Sequence, residues 1–128
     1  MGNGTTIGKV RGLGAAHHGA HHWLVQRFTA AGNVVLMSWL VVSLALLGDY
    51  SHGAIVKWLS APLAATAMIL LVISLFWHAR LGLQVVIEDY IHDAGSKFAL
   101  IAALNLATIG GGAFAIFSVA SLAFGRTA

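Results

Sequence analysis

Three long apolar segments alternate with shorter polar ones along this chain. From Phe28 to Leu47 the sequence supplies about the twenty apolar residues that a bilayer crossing requires, with Asn33, Ser38 and Ser43 as polar interruptions. Gly48 to Ser60 reads as a short loop, in which Tyr50 and Trp58 are suited to anchor at a membrane surface. Pro62 suits the first turn of a new helix, because its missing N–H is not needed there. The second apolar segment runs from about Leu63 to Leu83, and its helix is expected to continue to Tyr90. Gly95 and Lys97 are expected to end the turn that follows, and the third segment covers roughly Phe98 to Phe124. Within it, Ala103, Ala107, Gly111 and Ala115 form a small stripe of the kind that lets two membrane helices pack closely. Residues 1–27 are rich in Gly and His and have no apolar core of a secretory signal. They read as an interfacial N-terminal segment in front of a three-helix anchor domain, 28–128, with spans at about 28–47, 63–83 and 98–124.

Composition strengthens the membrane reading. Hydrophobic residues make up 59% of the chain and charged residues 9%, against roughly a quarter charged in a soluble protein. The mean hydropathy is +0.85. The fold class is therefore an all-α membrane protein with three transmembrane helices. The net charge of +3 is scattered, with no basic stripe to follow a phosphate backbone, so no nucleic-acid partner is expected. The basic residues instead predict topology. Lys9, Arg11, Arg27, Arg80 and Lys97 fall on one side and Lys57 and Arg126 on the other, which puts the N-terminus on the cytoplasmic or matrix side. With no cysteine, the chain cannot hold a thiolate-ligated iron–sulfur cluster or a c-type haem.

Candidate chemistry concentrates in the second span and its continuation, His78 to Asp93. His78 lies at depth in an apolar segment, where an ionisable residue is costly and points to a site. Neutral imidazole suits iron, so His78 is a candidate axial ligand of a b-type haem, with the second ligand from a partner chain. The competing reading is a histidine hydrogen-bonded to a neighbouring helix. Ala67, Leu71, Ser74, His78, Gly82, Val85 and Asp89 share one small, lightly polar face, which leaves room for a flat ligand against the backbone. Three of the four carboxylates, Glu88, Asp89 and Asp93, lie around Tyr90. A tyrosine hydroxyl can donate to a quinone carbonyl, and a neighbouring carboxylate can orient it or relay protons. The alternative is that these acids merely solvate a helix end. Arg80 either snorkels to the surface or meets a haem propionate. The pairs His17/His21 and His18/His22 have the spacing of a metal site, but without a nearby thiolate or carboxylate they read better as an interfacial cluster.

The run His-Ala-Arg-Leu-Gly-Leu-Gln-Val-Val-Ile-Glu-Asp-Tyr-Ile-His at 78–92 closely resembles the hallmark segment of the D-type hydrophobic membrane anchor of succinate dehydrogenase, respiratory complex II. His21-His22-Trp23-Leu24-Val25-Gln26-Arg27-Phe28-Thr29-Ala30 is similar to that family's motif before the first span. The resemblance covers roughly residues 9–125. It implies that His78 ligates haem b, that Tyr90 hydrogen-bonds ubiquinone with Asp89 as its acidic neighbour, and that Arg27 and His21 lie near the haem propionates. It also implies a bundle shared with a C-type cytochrome b556-like anchor, an iron–sulfur subunit and a flavoprotein carrying FAD. Electrons would then pass from succinate to ubiquinone. The expected location is a bacterial inner membrane. A haem-free structural anchor of a succinate dehydrogenase or fumarate reductase complex is the alternative. A transporter would need further ionisable residues at depth.

Overall fold

A computed structural model of the chain describes residues 19–125. Four helices follow one another: α1 (Gly19–Leu47), α2 (His52–Leu59), α3 (Pro62–Tyr90) and α4 (Ala94–Ala123). Helices α1, α3 and α4 are each long and apolar enough to cross a bilayer. Helix α3 is the central one: α1 packs on one side of it and α4 on another, while short α2 rests against α3 and α4 at one end. Among the described residues the buried apolar side chains are few, namely Leu59, Ala64, Leu71 and Leu81, and three of them belong to α3. Large apolar side chains such as Phe28, Leu46, Phe98, Phe114 and Phe117 point outward. That is the arrangement lipid favours, since lipid tails solvate such groups and leave them no need of an internal core.

The first helix starts earlier than its apolar run. It begins at Gly19, so His21, His22, Trp23 and Arg27 are helical rather than part of a flanking segment. No Pro interrupts residues 19–28, and a continuing helix satisfies its own backbone groups as it enters the membrane. Its far end is closed by Gly48, whose φ of +70° is the left-handed conformation that glycine adopts after a helix, and by Tyr50, whose hydroxyl donates to the Leu44 carbonyl at 3.0 Å.

The expected loop at 48–60 contains a helix of its own. Ser51 caps α2, its side chain accepting from the Ala54 N–H. Asp49 in turn accepts from the Ser51 N–H at 2.8 Å and from its hydroxyl at 2.9 Å. These bonds hold the Asp49 carboxyl below its ordinary pKa, the backbone one most strongly. Trp58 is not simply a surface anchor, because it stacks on Trp39 of α1 with ring centroids 5.8 Å apart.

Helix α3 begins at Pro62 and runs to Tyr90, as its sequence predicts. The turn after it is shorter than expected. Only Ile91 to Asp93 separate the helices, and Gly95 and Lys97 already belong to the first turn of α4. Asp93 brings this forward by capping α4, accepting from the Ser96 N–H at 2.7 Å. Lys97 closes the turn from the other side, donating to the Glu88 carbonyl at 3.0 Å.

The small stripe on α4 lies differently from the expectation. Ala103 and Ala107 are exposed, and contact with α3 centres on Gly111 and Gly112, against the Phe76 ring. A strict four-residue spacing drifts by about 40° per step, so over twelve residues it leaves a straight face.

Candidate functional site

His78 sits within α3 about 24 Å along the axis from Pro62 and about 18 Å from Tyr90, at roughly 1.5 Å rise per residue. It is half-buried. Its small face is not left open, because α1 lies against it. His78 Nδ1 is 3.1 Å from Thr29 Oγ1. One turn away, the Ser74 hydroxyl donates to the Thr29 carbonyl at 3.2 Å, and a Cβ on Gly32 would stand 3.4 Å from the same hydroxyl. One turn in the other direction, the position of a Cβ on Gly82 is 3.6 Å from the Gln26 amide nitrogen. Gly32 and Ser74 therefore let α1 and α3 approach closely beside His78, while Gly82 lies where the two helices begin to part. His78 is anchored at the seam through one ring nitrogen. The other, Nε2, has no hydrogen-bond partner among the described residues.

Toward the Tyr90 end, α1 and α3 diverge into a groove of about 610 Å³. His22, Gln26 and Arg27 line it from one helix and Gly82, Gln84 and Glu88 from the other. The Arg27 guanidinium lies over the Trp23 ring, 5.1 Å from its centroid. The Gln26 side-chain oxygen is buried without a hydrogen-bond partner, so the groove wall holds one unused polar atom. His21 is exposed and is not part of the groove wall; its neighbour His22, about 100° further round the helix, is. His17 and His18 lie outside the described residues. Among the described residues, no group of three His, Cys, Asp or Glu side chains could hold a metal ion.

Arg80 serves a different interface from His78. Two residues along a helix is a rotation of about 200°, and Arg80 accordingly turns to α4. Its Nε donates to the Asn105 side-chain oxygen, and the guanidinium stands 5.5 Å from the Trp77 ring centroid. It borders a second, mainly apolar groove of about 580 Å³ between α3 and α4. This placement separates it from the groove that holds Arg27.

Asp89 and Tyr90 occupy the last turn of α3, both exposed, Tyr90 at 76%. The acid beside them is engaged, with Glu88 accepting from the Gln84 amide at 2.8 Å. By helix rise, Asp89 is about 16 Å from the level of His78. The structure thus joins His78 to Thr29, and Arg27 to the α1–α3 groove, and leaves Asp89 and Tyr90 at the helix end. Sequence reading gave Thr29 and Gln26 no role of their own, and took His22 only as part of an interfacial histidine cluster and Glu88 only as one of the acids around Tyr90.

Residues 1–112 match the Succinate dehydrogenase/Fumarate reductase transmembrane subunit family. A succinate dehydrogenase hydrophobic membrane anchor subunit from Rickettsia bellii is 39% identical over 104 residues, 80% of this chain and 82% of that protein. One from Rickettsia conorii is 36% identical over 86 residues, 66% of this chain and 68% of that protein. A succinate dehydrogenase membrane anchor subunit from Reclinomonas americana is 28% identical over 94 residues, 71% and 78% of the two chains. No solved structure matches. The chain belongs to this family and is a membrane anchor subunit of a succinate dehydrogenase complex.

Proposed function

We propose that this subunit contributes an axial ligand of haem b, through His78, and part of a ubiquinone-reduction site, through Tyr90 and Asp89. The observation that carries the haem reading is the seat of His78. It is an imidazole inside an apolar span, held through Nδ1 with Nε2 unengaged among the described residues. Metal-ligating histidines are held in this way, by a hydrogen bond on the ring nitrogen away from the metal. A haem bound there would accept and pass on single electrons. The second axial ligand comes from a C-type cytochrome b556-like partner anchor. Arg27 would meet a propionate from the groove that it lines together with His22, while His21 lies outside that groove wall.

At the end of α3, the Tyr90 hydroxyl donates a hydrogen bond to a quinone carbonyl. Asp89 orients that hydroxyl or relays protons for a reduction that consumes two electrons and two protons. The electrons originate at succinate and pass through FAD in a flavoprotein and the clusters of an iron–sulfur subunit. The complex works in a bacterial inner membrane with this chain's N-terminus in the cytoplasm. Tyr90→Phe tests the quinone site. We expect ubiquinone reduction by the assembled complex to fall at least several-fold while succinate oxidation with an artificial dye is kept. Equal loss in both assays would place Tyr90 in assembly instead.

One observation favours a second reading. The Thr29–His78 contact also serves to lock α1 to α3, so His78 has a structural use in a haem-free anchor.

A further inference from the structure

Thr29 Oγ1 has three close polar neighbours. It is 2.9 Å from the Val25 carbonyl oxygen, 3.1 Å from the Gln26 carbonyl oxygen and 3.1 Å from His78 Nδ1. A hydroxyl carries one hydrogen. Both carbonyls are acceptors only, so these short contacts are attractive only if that hydrogen lies between Oγ1 and them. Were it turned to the ring instead, two carbonyl oxygens would face the Thr29 oxygen with no proton between. The lone pairs of Oγ1 therefore face the imidazole, and the ring nitrogen opposite them must be the donor.

We propose that Thr29 is a positioning residue that fixes His78 as its Nδ1–H tautomer and thereby presents Nε2 as the lone-pair nitrogen. The fixing chain runs from the α1 backbone through one hydroxyl to the ring. The Ser74 hydroxyl, donating to the Thr29 carbonyl at 3.2 Å, holds the two helices in the register this requires. Given a haem iron at His78, as proposed above, Nε2 would be the nitrogen offered to it. The Nδ1–H···O bond makes the imidazole a better electron donor, which favours the ferric state and lowers the haem potential.

The test uses the assembled complex with Thr29→Val, which keeps the shape and removes the oxygen, and Thr29→Ser, which keeps the oxygen. The expected result for the valine variant is an upward shift of the haem midpoint potential and about 10-fold or greater loss of haem retention. The serine variant should match the wild type in both. A valine variant with unchanged potential and retention would overturn the role of Thr29. If the valine variant fails to assemble, the serine variant decides. A wild-type potential and retention there would assign the requirement to the hydroxyl, and failure of the serine variant, which keeps the oxygen, would show that the hydroxyl does not suffice and overturn the proposal. A wild-type complex with no b-type band would refute the haem reading itself, whatever the Thr29 variants do.

Discussion

At the scale of single residues, angular position on a helix decides what each polar group can do. His78 and Arg80 are two residues apart, and α3 sends one to Thr29 and the other to Asn105. The sequence makes His78 conspicuous because a histidine at membrane depth is rare, yet it conceals Thr29, since a threonine at the start of a span is unremarkable. Arg80 reads from sequence as either snorkelling to the surface or meeting a haem propionate, and the structure shows it turned to Asn105 on α4. Asp93 gives a residue-scale prediction. Its bond from the Ser96 N–H, chiefly, holds its carboxyl below the usual value. A lowered pKa in the folded state means that the cap's contribution is present above the unfolded pKa, about 3.8 for Asp, and is lost as pH falls through the lower folded value. Amide-exchange protection at Ser96 should accordingly hold at neutral pH and drop in that acid window. Asp93→Asn, which still caps, should keep protection without the pH dependence.

At the scale of elements, the three spans were legible because their length and apolarity are dictated by bilayer thickness. Pro62 and the run to Tyr90 set the limits of α3 correctly. Two of the misjudged boundaries share one cause: local capping chemistry outweighed hydrophobicity. Ser51 and Asp49 turn an expected loop into α2, and Asp93 starts α4 before its apolar run. Helix contacts were less legible than helix existence, since side chains that face lipid and those that face another helix are equally apolar. The three adjacent glycines of α4 separate these environments. A Cβ at 111 would lie 2.9 Å from the Phe76 ring, one at 112 would meet it no closer than 3.7 Å, and one at 110 would meet nothing within 4 Å. Gly111→Ala should therefore destabilise the α3–α4 contact by about 1–3 kcal/mol, as overpacking does. Gly112→Ala and Gly110→Ala should be tolerated. The thermal stability of the three purified variants in one detergent would check the order, and equal effects at all three positions would contradict the packing described.

At the scale of the whole molecule, α3 is both the packing centre and the carrier of the candidate chemistry. Its mid-span histidine and its terminal Asp89-Tyr90 pair are about 16–18 Å apart along one rigid helix. The opposite end is tied down by α2, through Trp58 on Trp39 and the buried Leu59. The Tyr90 end, by contrast, opens into the α1–α3 groove and exposes Tyr90 itself. The two ends of the bundle therefore differ, one closed by α2 and the other open at the α1–α3 groove. The most direct test is a reduced-minus-oxidised optical spectrum of the complex purified through a tag on this chain, with wild type and His78→Ala side by side. We expect a b-type α-band in the wild type, with flavin and iron–sulfur subunits present, and its loss or displacement in the variant while those subunits still co-purify. An unchanged band in an assembled His78→Ala complex, or no band in the wild type, would contradict it.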